Sequence, residues 1–503
     1  MDRIKLPRLA YNWISAIGAV IAVVMAFLTA LFMLISIVAG INNPYLGIFI
    51  YMVLPPIFIF GLALIPLGMW RQWVRTRRGV VEEAMQWPYI DFNKRSHRNA
   101  FMIFTVGTVI FVVGGAVLSY EAYHFTESVQ FCGTTCHAIM EPEHTAYQNS
   151  PHARVPCSEC HVGSGAGWYT KSKLSGLYQV YATIAKVYPT PIPTPVKNLR
   201  PAQETCEHCH WPQHFFGAQQ KQFNHFKYDS TNTHWPITML IKTGGSDPKT
   251  GQIAGIHWHM NIGFKVDYIP RDERRQDIPW IRVTDESTGK SEIYQDETNP
   301  LTPEEIAKAT PRTMDCMDCH NRPSHIYRSP DYSIDAALLT SMVPVSLPDI
   351  KRVAVEAMAV VYGTSDSAMA GITERITEYY RSNYPDSFEQ FKDRINTAIE
   401  GTQRAFSINI FPAMKVRWSE YPNNIGHFAN AGCMRCHAGN HKNEAGVAVT
   451  RDCNACHTIT SQGGAELAQT TGSGGGMEFV HPVDIGDAWK EMGCYECHSG
   501  VQP

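Results

Sequence analysis

The sequence predicts a protein of two unlike parts: three membrane-spanning helices, then a mainly helical and irregular domain with a small β insertion. Two observations carry that prediction. From Leu9 to Trp70 there is no Asp, Glu, Lys, Arg or His, and a second such run extends from Asn99 to Tyr120. All 14 Cys lie beyond residue 120, as does every His except His97. Averages conceal this asymmetry, because 44% hydrophobic residues and a net charge of −3 with a mean hydropathy of −0.19 suit an ordinary soluble chain. They do exclude a disordered protein, and the near-neutral balance excludes a nucleic-acid binder, which needs a basic surface. With 14 Cys in 503 residues, a disulfide scaffold is excluded as well.

A helix needs about 20 apolar residues to cross the hydrocarbon, so the first run holds two spans. Gly40-Ile41-Asn42-Asn43-Pro44 is a turn-rich break between them. The first helix is expected near 12–39, the second near 46–69 with a kink at Pro55-Pro56, and the third over 99–120. A cleaved signal peptide would have a shorter apolar core and no second span directly behind it. Arg3, Lys5 and Arg8 precede the first helix, and the 71–98 loop carries Arg71, Arg75, Arg77, Arg78, Lys94, Arg95 and Arg98 against Glu82, Glu83 and Asp91. Positive-inside bias then puts the N-terminus and that loop in the cytoplasm. Everything after Tyr120 is expected in the periplasm, with the chain in a bacterial inner (cytoplasmic) membrane. The first two helices contain no ionisable residue, so they anchor the protein in the lipid bilayer, or hold a partner membrane subunit or a second copy in a homo-oligomer, rather than pump protons.

Every cysteine belongs to one of seven similar units. Six are CxxCH: Cys157/Cys160/His161, Cys206/Cys209/His210, Cys316/Cys319/His320, Cys433/Cys436/His437, Cys453/Cys456/His457 and Cys494/Cys497/His498. The first in the chain, Cys132-Gly-Thr-Thr-Cys136-His137, has one extra residue between the thiols. Two thiols at this spacing add across the vinyl groups of a haem, and the adjacent His is forced under the iron. Zinc ribbons pair one CxxC with another and need no His beside each, while redox dithiols occur singly. The reading is therefore a multihaem cytochrome with seven c-type haems, a local disulfide being the competing fate of Cys132 and Cys136.

The motifs divide the chain further. Residues 1–98 are a transmembrane hairpin and loop, 99–120 the third span, and 121–229 a three-haem module. Residues 230–332 hold a β insertion and the fourth haem, 333–420 a helical scaffold, and 421–503 a second three-haem module. Ser346-Leu-Pro348, Ser365/Asp366 and Ser387 read as helix starts, and Met358 and Met369 as core rather than ligands. Gly472-Ser-Gly-Gly-Gly476 reads as a flexible linker. Distal iron ligands are sought among His152, His257, His259, His325, His427, His441 and His481, with Met140 for the first haem. Enough His remain for bis-His iron throughout, which suits electron transfer because a filled sixth position blocks substrate.

The third hydrophobic run followed by Phe131-Cys-Gly-Thr-Thr-Cys-His-Ala-Ile-Met140, Ser150-Pro-His-Ala-Arg-Val, Cys157-Ser-Glu-Cys-His and Cys206-Glu-His-Cys-His resembles the NapC/NirT family of membrane-anchored multihaem quinol dehydrogenases. The resemblance covers roughly residues 99–215. It implies a first haem at the membrane surface that takes electrons from the quinol (menaquinol) pool and passes them along the haems to periplasmic c-type cytochromes. It also implies a Met iron ligand at the first haem, matched here by Met140. Typical members have one anchor helix and four or five haems, so the two extra helices and seven motifs depart from that pattern. Haems carry only electrons, so a base must take the quinol protons. Glu121 and His124 after the third span, and Lys171 and Lys173 after the second motif, are the candidates, the two lysines alternatively pairing with lipid phosphates. Two other functions fit the same sequence: a terminal reductase with an open iron position, and a quinone reductase running in reverse in a metal-oxidising pathway.

Overall fold

The structure is a computed structural model that describes residues 9, 12–38, 53–78, 91–135, 137–163, 165–196, 199–211, 217–244, 255–260, 263–464, 469–470 and 476–501. The break at 40–44, the expected start of the second helix, Cys136 and most of the 472–476 linker lie outside them. The described residues form two compact units, one within Met1–Glu127 and Val162–Tyr178, the other within Ser128–His161 and Gln179–Pro503.

The first unit contains α1 (Trp13–Val38), α2 (Leu54–Arg77) and α3 (Arg95–Glu127). Trp13–Phe32 and Leu54–Arg77 are long and apolar enough to cross a membrane, and their outward side chains, such as Val23, Phe27, Ile59 and Phe60, are exposed. Small residues bring α1 and α2 together. Ser15 Oγ donates to the Ile65 carbonyl at 2.9 Å, and a Cβ on Gly61 would sit 2.8 Å from Ala22 N. Close backbone approach of this kind is how helices associate in lipid, where burial of apolar surface drives nothing. Pro55 and Pro56 lie in the first turn of α2, where a missing N–H breaks no helical bond, so they open the helix instead of kinking it. The interior proline is Pro66. Both α2 and α3 run past the uncharged segments that predicted them, because charge marks the edge of the hydrocarbon, while a helix continues through Arg, Gln and Glu.

Short helices carry the second unit's first motifs: α4 (His137–Gln148) follows the first motif, and α5 (Ala166–Ala185) follows the second and begins in the other unit. The apolar core is a helical cluster of α6 (Pro330–Leu339), α7 (Ile350–Ala359), α8 (Ser365–Asn383) and α9 (Phe388–Ser407). Ile334, Leu347, Met358, Ile372, Ile376, Tyr380 and Phe406 are fully buried there. The i, i+4 series Ile372-Ile376-Tyr380 forms the inward stripe of α8. Thr364 caps α8 through Ser367, and Ser329 caps α6 by accepting the Tyr332 N–H. Helix α7 starts later than Ser346-Leu-Pro suggests, because Asp349 takes a left-handed conformation (φ 59°) that breaks the helix before Ile350.

Two sheets complete the unit. One runs β1 (Gln219–Phe226), β2 (His234–Ile241), β8 (His457–Gln462) and β9 (Gln469–Thr470) in that order; the other runs β6 (Arg312–Thr313), β3 (Phe264–Ile269), β4 (Trp280–Asp285), β5 (Ser291–Asp296) and β7 (His441–Lys442). The β region is thus no self-contained insertion. Ile241 pairs with His457 and Asp296 with His441, so both sheets are completed by strands from the C-terminal haem region.

Candidate functional site

Each regular motif folds as a single helical turn, which puts both thiols on one side and the His at its end. The turns are Cys157–His161, Cys316–Cys319, Met434–His437, Cys453–Cys456 and Cys494–Cys497; Cys206–Cys209 is a turn behind the helix Ala202–Thr205. The first motif differs. Phe131–Thr135 is a π turn, whose wider i→i+5 closure absorbs the extra residue. Gly133 is buried, and a Cβ there would collide with the His144 ring. Cys136 and the His137 side chain lie outside the description.

Thiols of successive motifs lie near one another. Cys157 is within hydrogen-bond reach of Cys132, and Cys206 of Cys316. Cys160 lies close enough to Cys209 for the second charge to raise its pKa. The same holds for Cys319 with Cys433, Cys456 with Cys433, and Cys494 with Cys453. Motifs one to seven therefore form a row in sequence order.

The histidines after the thiols have partners across a gap. Ring centroids are 6.3 Å apart for His161 and His325, 6.1 Å for His210 and His152, and 6.3 Å for His320 and His257. They are 5.8 Å apart for His437 and His259, 6.2 Å for His457 and His427, and 6.0 Å for His498 and His481. An imidazole nitrogen sits about 2 Å from a bound metal, so two rings on opposite sides of one iron have centroids about 6 Å apart. These spacings fit a bis-imidazole iron, and the paired thiols beside them fit thioether attachment.

Hydrogen bonds fix the tautomer. Nδ1 of His152, His257, His259 and His325 lies 3.2, 2.6, 2.9 and 3.1 Å from the carbonyls of Pro323, Thr243, Ile256 and Glu143. On the proximal side, His437 Nδ1 is 2.8 Å from Thr450 O. A carbonyl only accepts, so Nδ1 carries the proton and Nε2 is left bare to bind metal. Burial holds His259, His325, His427 and His437 below the ordinary imidazole pKa, His325 at about 4, which keeps the ring neutral as ligation requires.

His441 is the exception. It is fully buried in β7, its Nε2 bonded to the Ile278 carbonyl at 2.6 Å and its Nδ1 3.1 Å from Asn440 Oδ1. Both nitrogens are engaged by protein, so the expectation of an iron ligand there fails. The candidate ligand Met140 is half-buried on α4. His208 is exposed within its own motif.

In the first unit, Lys173 forms an ion pair with Glu127 and lies 5.1 Å from the Tyr169 ring centre. Glu127, the last residue of α3, was not singled out from sequence. Its signal was its place at the helix end, one further turn and a half beyond Glu121. Glu121 and His124 are exposed, the His124 ring 4.4 Å from Tyr120. Lys171 is exposed and packs over Trp168 at 4.9 Å, apart from the Glu127 pair.

Residues 93–195 match the N-terminal region of the NapC/NirT cytochrome c family. The chain is 46% identical over 488 residues to the cytochrome c-type protein ImcH of Geobacter sulfurreducens, an alignment covering 97% of this chain and 95% of that protein. No solved structure matches.

Proposed function

The chain belongs to the NapC/NirT cytochrome c family, and from that premise we propose that it is an inner-membrane quinol dehydrogenase. It takes electrons from the menaquinol or quinol pool, conducts them past seven c-type haem sites, and delivers them to periplasmic c-type cytochromes. Three helices, α1 to α3, cross the bilayer, with the N-terminus cytoplasmic and the motif region periplasmic. Haem, when bound, supplies reversible one-electron chemistry. The fourteen Cys would attach it, and the seven motif His would bind its iron. His325, His152, His257, His259, His427 and His481 would hold the opposite face at motifs two to seven, and Met140 at the first.

The observation that supports conduction best is the row of motif thiols, which runs in sequence order from Cys132 to Cys494. Such a row has two ends. The first follows closely on α3 in sequence and the last lies near the C-terminus. The opposed imidazoles would fill both axial positions of an iron held at motifs two to seven, which favours conduction over terminal reduction.

Quinol oxidation releases two protons for every two electrons. Glu127 is the acceptor: the Lys173 ammonium holds its carboxylate in place, and a carboxylate at a membrane surface can pass protons to water. His124 and Glu121, exposed on the same helix and nearer the bilayer, offer further acceptors. The test is to mix the oxidised protein in liposomes with a menaquinol analogue and follow the haem bands. Rapid reduction sensitive to quinone-site inhibitors is expected; no reduction, or a rate indifferent to inhibitors, removes the reading.

A further inference from the structure

Behind the last motif lies a buried charged cluster that quinol oxidation does not use. Asp331 and Asp335 project from α6, and Lys351, 1% exposed, reaches them from α7. Lys351 Nζ is 2.7 Å from Asp331 Oδ1 and also pairs with Asp335. Tyr228 Oη donates to Asp331 at 2.8 Å, and the Phe226 N–H to Asp335 Oδ1 at 3.1 Å. Asp335 Oδ2 is buried and makes no hydrogen bond. It faces His225 Nδ1 on β1 at 3.5 Å, and the His225 side chain keeps 30% of its surface open to solvent.

The cluster reaches the seventh motif by two routes. Phe428 stacks on His498 with centroids 4.4 Å apart, and its ring lies 5.3 Å from that of His225. Just beyond His498, the Gly500 carbonyl accepts the Asp331 N–H at 3.0 Å, and the Ser499 carbonyl accepts Trp418 Nε1 at 3.0 Å. The tail after His498 is thereby fastened to the start of α6.

We propose that the His225–Asp335 pair binds a proton when the seventh haem is reduced. With His225 neutral, two carboxylates and one ammonium leave the buried cluster one negative charge in excess. One electron arriving from the sixth site makes the region more negative still, and one proton from solvent, entering at the open edge of His225, cancels it. The charged and titratable groups around His225 are Asp335 and Asp331 on α6, Lys351 on α7, Tyr228 after β1, His234 on β2 and His498 beyond Phe428. Burial pushes Asp335 up, and it outweighs the opposing pull of His225 and Lys351. A metal ion at the same three side chains is disfavoured, since the Lys351 ammonium already sits between the two carboxylates.

The proposal rests on reading Cys494, Cys497 and His498 as a haem site, which a count of seven haems in the same preparation checks separately. The full-length protein in detergent is titrated with a chemical mediator set, no quinol present, from pH 5.5 to 8.5. One component is expected to fall in potential as pH rises, approaching a tenfold change in reduced-to-oxidised ratio per pH unit, about 59 mV. His481→Met should raise that same component, assigning it to the seventh haem. In His225→Gln, and separately in Asp335→Asn, it should become independent of pH while the other components stay unchanged. Proton uptake on full reduction in weak buffer should fall in both variants. Unaltered pH dependence in His225→Gln, with seven haems retained, overturns the proposal. So does loss of pH dependence from a component that His481→Met does not move.

Discussion

Asp318 shows how one side chain ties motifs to scaffold. Its carboxylate, 3% exposed, accepts from Tyr268 Oη at 2.6 Å, Arg275 at 3.0 Å and Arg312 Nε at 3.0 Å, and its backbone carbonyl accepts from Arg435 at 2.8 Å. It lies inside the fourth motif, while Arg435 lies inside the fifth, so this knot locks two motif turns to β3 and to each other. Asp318→Ala leaves two guanidiniums and a phenol facing an empty place, and should destabilise the domain by about 3–5 kcal/mol in denaturant titration. Glu127→Gln acts on chemistry instead. It keeps the shape of the Lys173 partner and removes the base, so quinol-driven haem reduction should slow by about 10²-fold while dithionite still reduces every haem. The motif turns were legible through spacing, because two Cys three residues apart and the adjacent His fall within one helical turn. Spacing could not separate His441 from its neighbours, since whether an imidazole faces a gap or a carbonyl depends on a strand partner 145 residues away in the chain, at Asp296.

Elements divide by how local their causes are. The three long helices were readable because absence of charge over a helix length is a local property, and α1 lies where expected; only α2 and α3 overrun their uncharged segments, by continued helix propensity through charged residues. The α6–α9 core was readable in part, through caps and i, i+4 spacing, with α6 missed although Ser329-Pro330 is a cap-and-proline start. The sheets were the least readable, because β2 and β8 meet across more than two hundred residues. In the core, Ile376→Ala should cost about 2–5 kcal/mol, since the side chain is fully buried and α8 cannot collapse around the gap. Between α1 and α2, Gly61→Val should lower the melting temperature in detergent, because a Cβ there already meets Ala22 N at 2.8 Å and the Gly18 carbonyl at 3.0 Å. The same change at Gly107, which has open space around it, should leave the melt unmoved.

Across the whole molecule, a row of sites has the vulnerability of any series circuit. Cys433→Ser with Cys436→Ser, which deletes the fifth site, should leave sites one to four reducible by quinol and make the last two slow. Stopped-flow absorbance would show a truncated fast phase followed by a lag. The opposed rings also cross the order of the chain. His152, between the first and second motifs, faces the third, and His325, beyond the fourth motif, faces the second. Under this ligation, a haem taken up by the second motif as the chain emerges N-terminus first would wait for residue 325 to complete its iron. A haem taken up at that stage would be covalently held yet open on one face, able to bind small ligands or oxygen. Maturation, more than folding of any single module, would then set when the molecule becomes safe to charge with electrons.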